Sequence, residues 1–456
     1  MIQISTSLIE QAVYKLCFDA NTCLNLQVYN QLLETYKKTK SDILKAILQN
    51  AKTAYETKKP LCQDTGQVIV FCEIGQEVQL KGDFIEDVIN RAIEKCYKEN
   101  FFRKSVVKNA VFERTNTGTN VPAIIYTRIV NGNNINLKVL IKGAGSENKS
   151  HTKMLLPTIN EDDMVSAIGD MILSSGVNAC PPMFVGIGIG GTLDKAALLS
   201  KEVFFKKEIS STEKELAEKI KQYVNDKAPL EYKNCYILDV KLLSTATHIA
   251  CMPVAVTINC HSDRMSECLI NKDGIEYKHQ KPDFIEIKDD SCNLPEIKTT
   301  DIESIKALNC GDRVLLTGEI YVARDMAHKK LQEMIENGSK LPFDIKDKII
   351  FYAGPCPAKP KEVIGSIGPT TSGRMDKYAV KLYDMGLLAT IGKGSRNQEV
   401  INYIKKNNAK YFTVIGGIAA LLSERVKESE IVAFEDLGAE ALYKLFVDKF
   451  PVKVEM

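Results

Sequence analysis

A cysteine, an amide and a carboxylate follow one another in the stretch 58-KKPLCQDTGQ-67. Pro60 and Gly66 restrict and turn the backbone on either side, which predicts a rigid loop. Such a loop would present the Cys62 thiolate beside the hydrogen-bonding groups of Gln63 and Asp64. The alternative is an ordinary surface turn with an incidental cysteine, because loops are usually polar and variable.

Two other cysteines have similar turn-like surroundings, Cys180 in NACPPMF and Cys260 in INCHSDR. Together with Cys62 they offer three thiolates, which suit a cubane iron–sulfur cluster with one iron left without a protein ligand. Such an iron would act as a Lewis acid through its open position, as a catalytic zinc does. The long intervals between the three are no local signature, and scattered cysteines are often buried small hydrophobes. Both interpretations therefore stay open at this point.

Three glycines in 183-MFVGIGIGGTLDKAAL-198 match a G-x-G-x-x-G pattern between a predicted strand and a predicted helix. Gly186, Gly188 and Gly191 thus raise the hypothesis of a nicotinamide-dependent dehydrogenase. The acidic residue expected about 20 residues further on should end a second strand. It falls instead in KEVFFKKEISSTEKE, which is typical of a charged helix or loop. The other interpretation is a glycine-rich segment that packs closely against a neighbour.

Anion-binding groups occur in several loop-like segments. The stretch 142-KGAGSENKS-150 offers clustered backbone amides and a lysine, and 365-GSIGPTTSGRMD-376 brings hydroxyls and a guanidinium to the start of a helix. Arginine forks bind carboxylates and phosphates alike, although each such residue could equally be a solvated surface group. The loop-borne cations are Arg103, Arg324, Arg374 and Lys393.

The bulk composition is that of an ordinary globular protein. The chain has 456 residues, a formal net charge of +2, and 13 cysteines with no repeated C-x-x-C pattern. The length predicts two or three domains, and the balanced charge argues against nucleic acid or a membrane surface as partner. The N-terminal stretch lacks a secretory pattern and no apolar run reaches 18 residues, so we expect a cytoplasmic protein.

The hydrophobic periodicity changes along the chain. Helical spacing dominates the first hundred residues, and the alternation in 120–143, with N-G-N-N at 131–134, predicts a β-hairpin. Beyond a polar, proline-interrupted stretch, short strands alternate with helices, and 438-GAEALYKLFVDKF-450 is predicted to be one of the helices. The pattern predicts a two-domain α/β chain, with a helix-rich α+β domain at 1–278, a linker at 279–300 and a compact α/β domain at 301–456.

Together these segments resemble the class I, iron–sulfur-dependent fumarate hydratase family, which also contains L-tartrate dehydratases. PLCQDTG, KGAGSEN, CPPMFVGIGIGGT and HIACMPVAVTINCHSDR resemble the alpha-type half, and LLTGEIYVARDMAH, GPTTSGRMD and IGKGS resemble the beta-type half. The resemblance covers essentially the whole chain, with both halves fused. It implies a catalytic N-terminal domain, a swivelling β/β/α-like C-terminal domain, and a glycine-rich loop near the cluster in place of a nucleotide site.

The resemblance also implies roles for individual residues. The three ligands of a 4Fe-4S cluster would be Cys62, Cys180 and Cys260. The catalytic residues would be Thr370, His248 and Asp64. The substrate-binding residues would be Gln63, Asp64, Arg103, Gly143, Arg324, Thr370, Arg374 and Lys393.

Two departures from the family pattern bear on these assignments. The family usually has Gly-His-Ala-Ala where this chain has Thr247-His248-Ile249-Ala250. Cys251 and Cys268 are close enough in sequence to compete with Cys260 as the third ligand.

The function implied by the resemblance is the reversible hydration of fumarate to (S)-malate, without net redox. L-Tartrate dehydration and mesaconate hydration would use the same chemistry and are the nearest alternatives. A dehydrogenase built on Gly186–Gly191 and a non-catalytic metal-binding scaffold are the remaining ones. The expected partner is a small dicarboxylate, without nucleic acid or membrane, and a cytoplasmic homodimer of the tricarboxylic acid cycle is implied.

Overall fold

The computed structural model describes residues 2–287 and 293–456 and mixes helices and sheets. The chain divides into two compact units: unit 1 is Met1–Leu48, Thr65–Cys96 and Lys104–Asp283, and unit 2 is Gln49–Asp64, Tyr97–Arg103 and Phe284–Met456. Two short N-terminal segments thus belong to unit 2, which no feature of the sequence predicted. Part of the predicted linker 279–300, residues 288–292, lies outside the described residues, and the predicted domain boundaries stay a prediction.

The helices that begin in unit 1 confirm most of the helical periodicity. Side-chain caps fix several of their starts: Ser5 and Asn25 accept hydrogen bonds from the backbone amides two residues later, and Ser210 and Glu213 form a capping box. Among the described residues, no helix is both long and apolar enough to cross a membrane. The bounds are α1 Thr6–Thr22, α2 Leu26–Thr39, α3 Asp42–Thr57, α4 Ile85–Glu99, α5 Ala144–Glu147, α6 Glu161–Leu173, α7 Leu193–Glu202 and α8 Ser211–Asp226.

The first sheet of unit 1, which we name the β5 sheet, has the strand order β11-β10-β5-β2-β4. Its strand bounds are β2 Gln67–Gly75, β4 Ile124–Val130, β5 Ile135–Lys142, β10 Met265–Asn271 and β11 Gly274–Tyr277. A separate parallel pair joins β1 Ile2–Ser5 to β3 Val78–Lys81.

The predicted hairpin at 120–143 is wrong in its pairing. Both strands form, but β2 lies between them, parallel to β4 and antiparallel to β5. The sequence analysis did not predict β2, because helical periodicity dominates the first hundred residues. The stretch Val68–Cys72 of β2 is nevertheless apolar and buried throughout. A fully buried central strand lacks the alternation by which strands are recognised, and it pairs with both neighbours more favourably than they pair with each other.

The second sheet of unit 1, named the β9 sheet, has the order β6-β9-β7-β8. Its strands are β6 His151–Met154, β7 Met183–Ile189, β8 Ile237–Ser244 and β9 Pro253–Cys260. Antiparallel β7 and β9 place Met183 opposite Cys260 and Ile189 opposite Val254. Residues just before β7 and at the end of β9 therefore share one end of the sheet.

The G-x-G-x-x-G glycines serve helix packing in this sheet. Gly186 and Gly188 lie inside β7, where an added Cβ would overlap the carbonyl oxygens of Ser200 and Ala196 on α7. The segment is therefore a strand against which a helix packs closely, and the loop near the cluster that the resemblance implied does not form from these two glycines. This geometry also speaks against the dehydrogenase hypothesis, because a dinucleotide needs its glycines in the turn after the strand.

Unit 2 is built on one mixed sheet, named the C-terminal sheet, of order β12-β13-β14-β15-β16-β18-β17. A further antiparallel pairing of β13 with β18 closes β13, β14, β15, β16 and β18 into a ring of paired strands. The strands are β12 Glu296–Lys298, β13 Arg313–Val322, β14 Ile349–Phe351, β15 Ala389–Gly392, β16 Lys410–Thr413, β17 Val426–Ala433 and β18 Leu442–Val454. The helices are α9 Ile302–Ala307, α10 Asp325–Glu336, α11 Asp376–Asp384, α12 Gln398–Asn407 and α13 Ala419–Ser423.

The helix predicted at 438–450 is wrong, because this stretch begins β18. Its apolar residues suit both periods, but Leu445 and Val447 are buried with Phe446 facing outward between them. Phe450 and Val452 are buried beyond an irregularity at Lys449, whose φ is 51°. Pairing with β13, β16 and β17 decides the outcome. Tertiary pairing of this kind commonly overrides local helix propensity.

Candidate active site

The loop that carries Cys62 is fixed within unit 2. The Gln63 amide donates from Nε2 to the Pro369 carbonyl over 3.1 Å, and Ser366 Oγ donates to the Pro60 carbonyl over 2.6 Å. Gly368 allows this close approach, because a Cβ at that position would lie only 2.5 Å from Gln63 Oε1. The PLCQDTG loop is thereby held against the GPTT segment of the C-terminal part of the chain.

The amide at Asp64 points toward the Cys62 sulfur, with its nitrogen 3.5 Å from Sγ. The Asp64 carboxylate pairs with Arg103, whose Nη2 lies 3.2 Å from Oδ1. Arg103 Nη1 also donates to the Gly354 carbonyl over 3.1 Å. Both charged side chains are mostly shielded from solvent, at 12% and 17% exposure, so the pair is oriented and only weakly screened.

Arg324 lies within electrostatic range of both Arg103 and Arg374. Arg324 contacts the Glu440 and Asp325 carboxylates at 3.3 and 3.4 Å, and Arg374 contacts Asp325 at 3.0 Å. Burial lowers the pKa of Arg324, and the neighbouring charges of Arg103 and Arg374 lower it further. Guanidinium groups linked through Arg324 in this way are suited to binding a multiply charged anion.

Thr370 belongs to the same arrangement. Its backbone amide donates to the Tyr352 carbonyl over 2.7 Å, and its hydroxyl accepts a hydrogen bond from Arg374. The Lys393 carbonyl accepts from the Ser372 amide over 2.9 Å, which aligns the two segments. Thr371, not Thr370, stands at the N-cap of the following 3₁₀ helix, and its side chain makes no capping bond. Thr370 therefore does not cap this helix.

Unit 2 thus contains most of the predicted site residues, although they come from distant parts of the sequence. The ion pair of Asp64 with Arg103 could not be predicted from the sequence, because neither segment indicates which distant residue it contacts. Unit 2 holds Cys62, Gln63, Asp64, Arg103, Arg324, Thr370, Arg374 and Lys393. Unit 1 holds Gly143, Cys180, His248 and Cys260.

Cys180 and Cys260 lie at the same end of the β9 sheet. Cys260 is the last residue of β9 and faces Met183, and Cys180 stands three residues before Met183 with a left-handed φ of 60°. The short helix α5, which follows Gly143, packs against β9 and against the 3₁₀ turn Gly176–Ala179. Gly143, the N-cap of α5, therefore lies toward the end of the β9 sheet that carries the two cysteines, and its role in substrate binding stays a prediction.

A buried lysine lies at the same end of the sheet. Lys142 donates from Nζ to the Ile258 carbonyl over 2.5 Å and to Asn259 Oδ1 over 2.9 Å. Burial lowers the pKa of Lys142 to about 8, against the opposing influence of Glu147 and Cys260. Sequence reasoning treated its segment as an anion nest, but the structure makes this lysine a buried cation within electrostatic range of Cys260.

His248 and Cys251 lie at the opposite end of the β9 sheet. Both precede Pro253, the first residue of β9, whereas Cys260 is the last. At about 3.3 Å a residue the strand separates these ends by roughly 20 Å or more. Within one chain, His248 therefore does not approach Cys180 and Cys260. For the same reason, Cys251 cannot bind one cluster together with them.

Cys268 is also separated from the ligand set, by burial. It lies in β10, opposite Leu137 of β5, inside the β5 sheet. Burial raises the pKa of the Cys268 thiol to about 12, so the thiolate form that binds metals is strongly disfavoured there.

The three predicted ligands have the chemistry that a cluster requires. In the described ranges they form no disulfide, and all three are partly exposed, whereas Cys268 is buried. The Cys62 sulfur accepts a hydrogen bond from the Asp64 amide, as cluster sulfurs do, and Ser262 Oγ lies 3.0 Å from Cys260 Sγ, where either atom could donate. Across residues 2–287 and 293–456, no three His, Cys, Asp or Glu side chains gather tightly enough to bind a single metal ion. Three partly exposed thiols have the chemistry of cluster ligands, and their assignment as a ligand set stays a prediction.

Comparison with known proteins finds similarity along nearly the whole chain. A family model described as fumarate hydratase (fumerase) matches residues 10–268, and one described as fumarase C-terminus matches residues 270–456. The chain is 31% identical over 438 residues to the anaerobic class I fumarate hydratase of Escherichia coli, covering 89% of this chain and 79% of the relative.

Two further relatives are similar to the chain over different lengths. Fumarate hydratase 2 of Leishmania major is 30% identical over 465 residues, which is 94% of this chain and 80% of that protein. A Methanocaldococcus jannaschii protein provisionally named L(+)-tartrate dehydratase subunit alpha is 38% identical over 272 residues, covering 56% of this chain and 95% of the relative.

Proposed function

Since this chain belongs to the fumarate hydratase family and is a hydro-lyase, we propose that it catalyses the reversible hydration of fumarate to (S)-malate. The observation that supports the proposal is that Arg324 lies within electrostatic range both of Arg103, which pairs with Asp64, and of Arg374, which bonds to Thr370. Such an arrangement combines carboxylate-binding forks with two groups able to carry protons.

The guanidinium groups would bind the substrate and stabilise its charge. Arginine forks bind carboxylates through paired hydrogen bonds, and a dicarboxylate offers two such groups. When a proton leaves the carbon next to a carboxylate, negative charge spreads onto the carboxylate oxygens. Cations already oriented toward that position lower the barrier, because they need no reorganisation during the reaction. Lys393, aligned with the Thr370 segment through its backbone, would contribute a further positive charge.

Thr370 is the proposed base in the direction from malate to fumarate. A hydroxyl is normally a weak base, but its contact with the Arg374 guanidinium favours the alkoxide form. Asp64, held by Arg103, is the proposed group that orients the substrate hydroxyl. Water is then released by combination of that hydroxyl with a proton.

His248 stays a prediction for the opposite proton transfer. His248 lies at the end of the β9 sheet opposite to Cys260. It would therefore reach a substrate held near that cysteine only from a second copy of the chain, as a homodimer would supply. The homodimer, a cytoplasmic location and a role in the tricarboxylic acid cycle are parts of this proposal.

We propose Cys62, Cys180 and Cys260 as the residues that hold a 4Fe-4S cluster. When bound, such a cluster would supply an open iron position as a Lewis acid for the departing hydroxyl. The partial exposure of the three thiols and the amide directed at Cys62 support this assignment.

The cluster assignment is tested by serine substitution under anaerobic conditions. Replacing Cys62, Cys180 or Cys260 should abolish bound iron and the visible absorbance of the cluster, because too few ligands remain. The matched controls Cys251→Ser and Cys268→Ser should keep both. Iron lost from Cys268→Ser and retained by Cys260→Ser would overturn the choice of the third ligand.

The second candidate substrate is L-tartrate, supported by the similarity to a protein named as a tartrate dehydratase subunit. Mesaconate is a third, because a methyl group changes little in how two carboxylates are bound. An anaerobic assay of the purified chain with fumarate, L-malate, L-tartrate and mesaconate, at matched concentrations, distinguishes them. The proposal expects the highest kcat/KM with fumarate and malate, and turnover of tartrate alone would replace it.

A further inference from the structure

A fully buried arginine, Arg396, lies at the centre of the polar contacts behind the Thr370 and Lys393 segments. Its Nε lies 2.5 Å from Asp376 Oδ1, and its Nη1 donates to Thr390 Oγ1 over 3.0 Å. Its guanidinium carbon lies 5.3 Å and 5.1 Å from the ring centres of Tyr352 and Tyr411. None of these residues was singled out from the sequence.

The ion pair of Arg396 ties the start of α11 to the loop after β15. Asp376, 6% exposed, is the first residue of α11 and follows directly after the 3₁₀ helix Ser372–Met375, which carries Arg374. While one oxygen of Asp376 binds Arg396, the other accepts from the Asn397 amide over 2.6 Å. The segment of Arg374 and the loop of Lys393 are thus joined through one carboxylate.

The two tyrosines extend these contacts to both segments. The Tyr411 hydroxyl lies 2.9 Å from Ser372 Oγ and 2.6 Å from the Gly394 carbonyl. The Tyr352 backbone accepts from the Thr370 amide and donates to the Ile391 carbonyl over 2.7 and 2.8 Å. Each tyrosine therefore contacts the Thr370–Arg374 segment on one side and the end of β15 or its following loop on the other.

We propose that Arg396 is a positioning residue for the hydration, and that Tyr411 and Tyr352 transmit its position to the two segments that carry Thr370, Arg374 and Lys393. The proposal rests on the proposed function, since positioning has meaning only for the reaction those residues perform. Arg396 itself touches no substrate in this scheme. It sets the distance between the base and the cations that bind the substrate carboxylates.

The contacts explain why an arginine stands at this position. A buried cation is tolerated only when it is paired and hydrogen-bonded, and Asp376 with Thr390 satisfies it on one edge. The guanidinium lies within cation–π range of both tyrosine rings, and its planar fork binds Asp376 and Thr390 at once, which a lysine ammonium cannot do in the same way. Arg396→Lys would keep the charge and lose the planar contacts.

The test compares two buried tyrosines of the C-terminal sheet that differ in their contacts. Tyr411→Phe removes the hydroxyl between Ser372 and Gly394. The control Tyr321→Phe removes the hydroxyl of a buried tyrosine in β13 whose ring stacks on Phe343, with a ring-centre distance of 4.1 Å. Both variants keep the ring and the packing, so both should fold.

For these two variants and for Arg396→Lys, kcat and KM for malate are measured per iron–sulfur cluster, together with the thermal unfolding temperature. We expect Tyr411→Phe and Arg396→Lys to lower kcat about tenfold or more and to raise KM severalfold, because small displacements of reacting groups are costly. Tyr321→Phe should leave kcat and KM unchanged. A purely structural role would change the unfolding temperature alone.

The outcomes separate this proposal from the proposed function. Wild-type protein without turnover of any of the four dicarboxylates would overturn the proposed function and the positioning role with it. An active wild type with unchanged kcat and KM in both Tyr411→Phe and Arg396→Lys would overturn the positioning role alone.

Discussion

Replacing Thr370 by alanine separates a chemical role of its hydroxyl from a structural one. The hydroxyl accepts a hydrogen bond from Arg374, and the backbone amide bonds to Tyr352 independently of the side chain. Thr370→Ala therefore keeps the backbone anchor and removes one side-chain contact. We expect a folded protein with a normal cluster that still binds malate and has almost no turnover.

The magnitudes of the two roles differ enough to be told apart. A hydrogen bond to a charged group contributes about 1.5–3 kcal/mol when buried. Arg374 is 42% exposed, so water replaces much of this contact and the stability loss should stay below about 1 kcal/mol. Loss of a general base costs roughly 100-fold in rate, which corresponds to about 2.7 kcal/mol of activation free energy.

The assay measures malate dehydration per cluster, malate binding by calorimetry, and thermal unfolding under anaerobic conditions. The neighbouring Thr371→Ala is the matched control, because its side chain makes no capping bond and has no assigned role. Thr371→Ala should retain turnover within about twofold. Turnover of Thr370→Ala close to that of this control would refute the base assignment and turn attention to His248.

Three further predictions concern packing, acidity and substrate binding. Gly188→Ala should destabilise unit 1 by about 1–3 kcal/mol in urea unfolding, because its Cβ would overlap the Ala196 carbonyl, and wild-type protein should not bind NADH in a fluorescence titration. Burial lowers the pKa of His328 to about 4, so stability is full above about pH 6.5 and falls by up to about 3 kcal/mol as the pH drops to 4; His328→Gln should remove this slope. Arg103→Lys should raise KM for malate about tenfold in steady-state kinetics, because an ammonium cannot bind both Asp64 and the substrate as the guanidinium fork does. The three predictions would be contradicted by full stability of Gly188→Ala, by an unchanged pH slope in His328→Gln and by an unchanged KM in Arg103→Lys.

Local sequence patterns predicted the elements of this chain better than their pairing. The strands around Ile350, Ile391 and Phe412 were predicted from short apolar runs and confirmed, because such runs between polar turns have few alternatives. The errors occur where one residue pattern fits two structures, as in β18, or where a buried strand shows no alternation, as in β2. In both places the partner strand decides, and partner strands are distant in sequence.

The candidate site shows the same division between local and distant information. Motif resemblance indicated the residues Asp64 and Arg103 one by one, but their ion pair and their common membership of unit 2 follow only from the folded chain. Arg396 had no motif at all, since a buried arginine between two tyrosines looks like any charged residue in a helix-flanking loop. Residues that act through others leave no pattern, because their partners are chosen by the fold.

Strand register supplies the information that cysteine spacing lacks. Cys251 and Cys260 are close in sequence, and either could serve as a ligand by chemistry alone. The antiparallel register of β7 and β9 fixes Met183 opposite Cys260, so Cys180 approaches the end of β9 and not its beginning. Because Cys251 precedes the first residue of β9 and Cys260 is its last, the eight-residue strand keeps the two cysteines apart. Only Cys260 can therefore share a ligand set with Cys180. A sequence specifies register where turns and one-sided burial constrain it, and β7 and β9, which are buried on both faces, give no such signal.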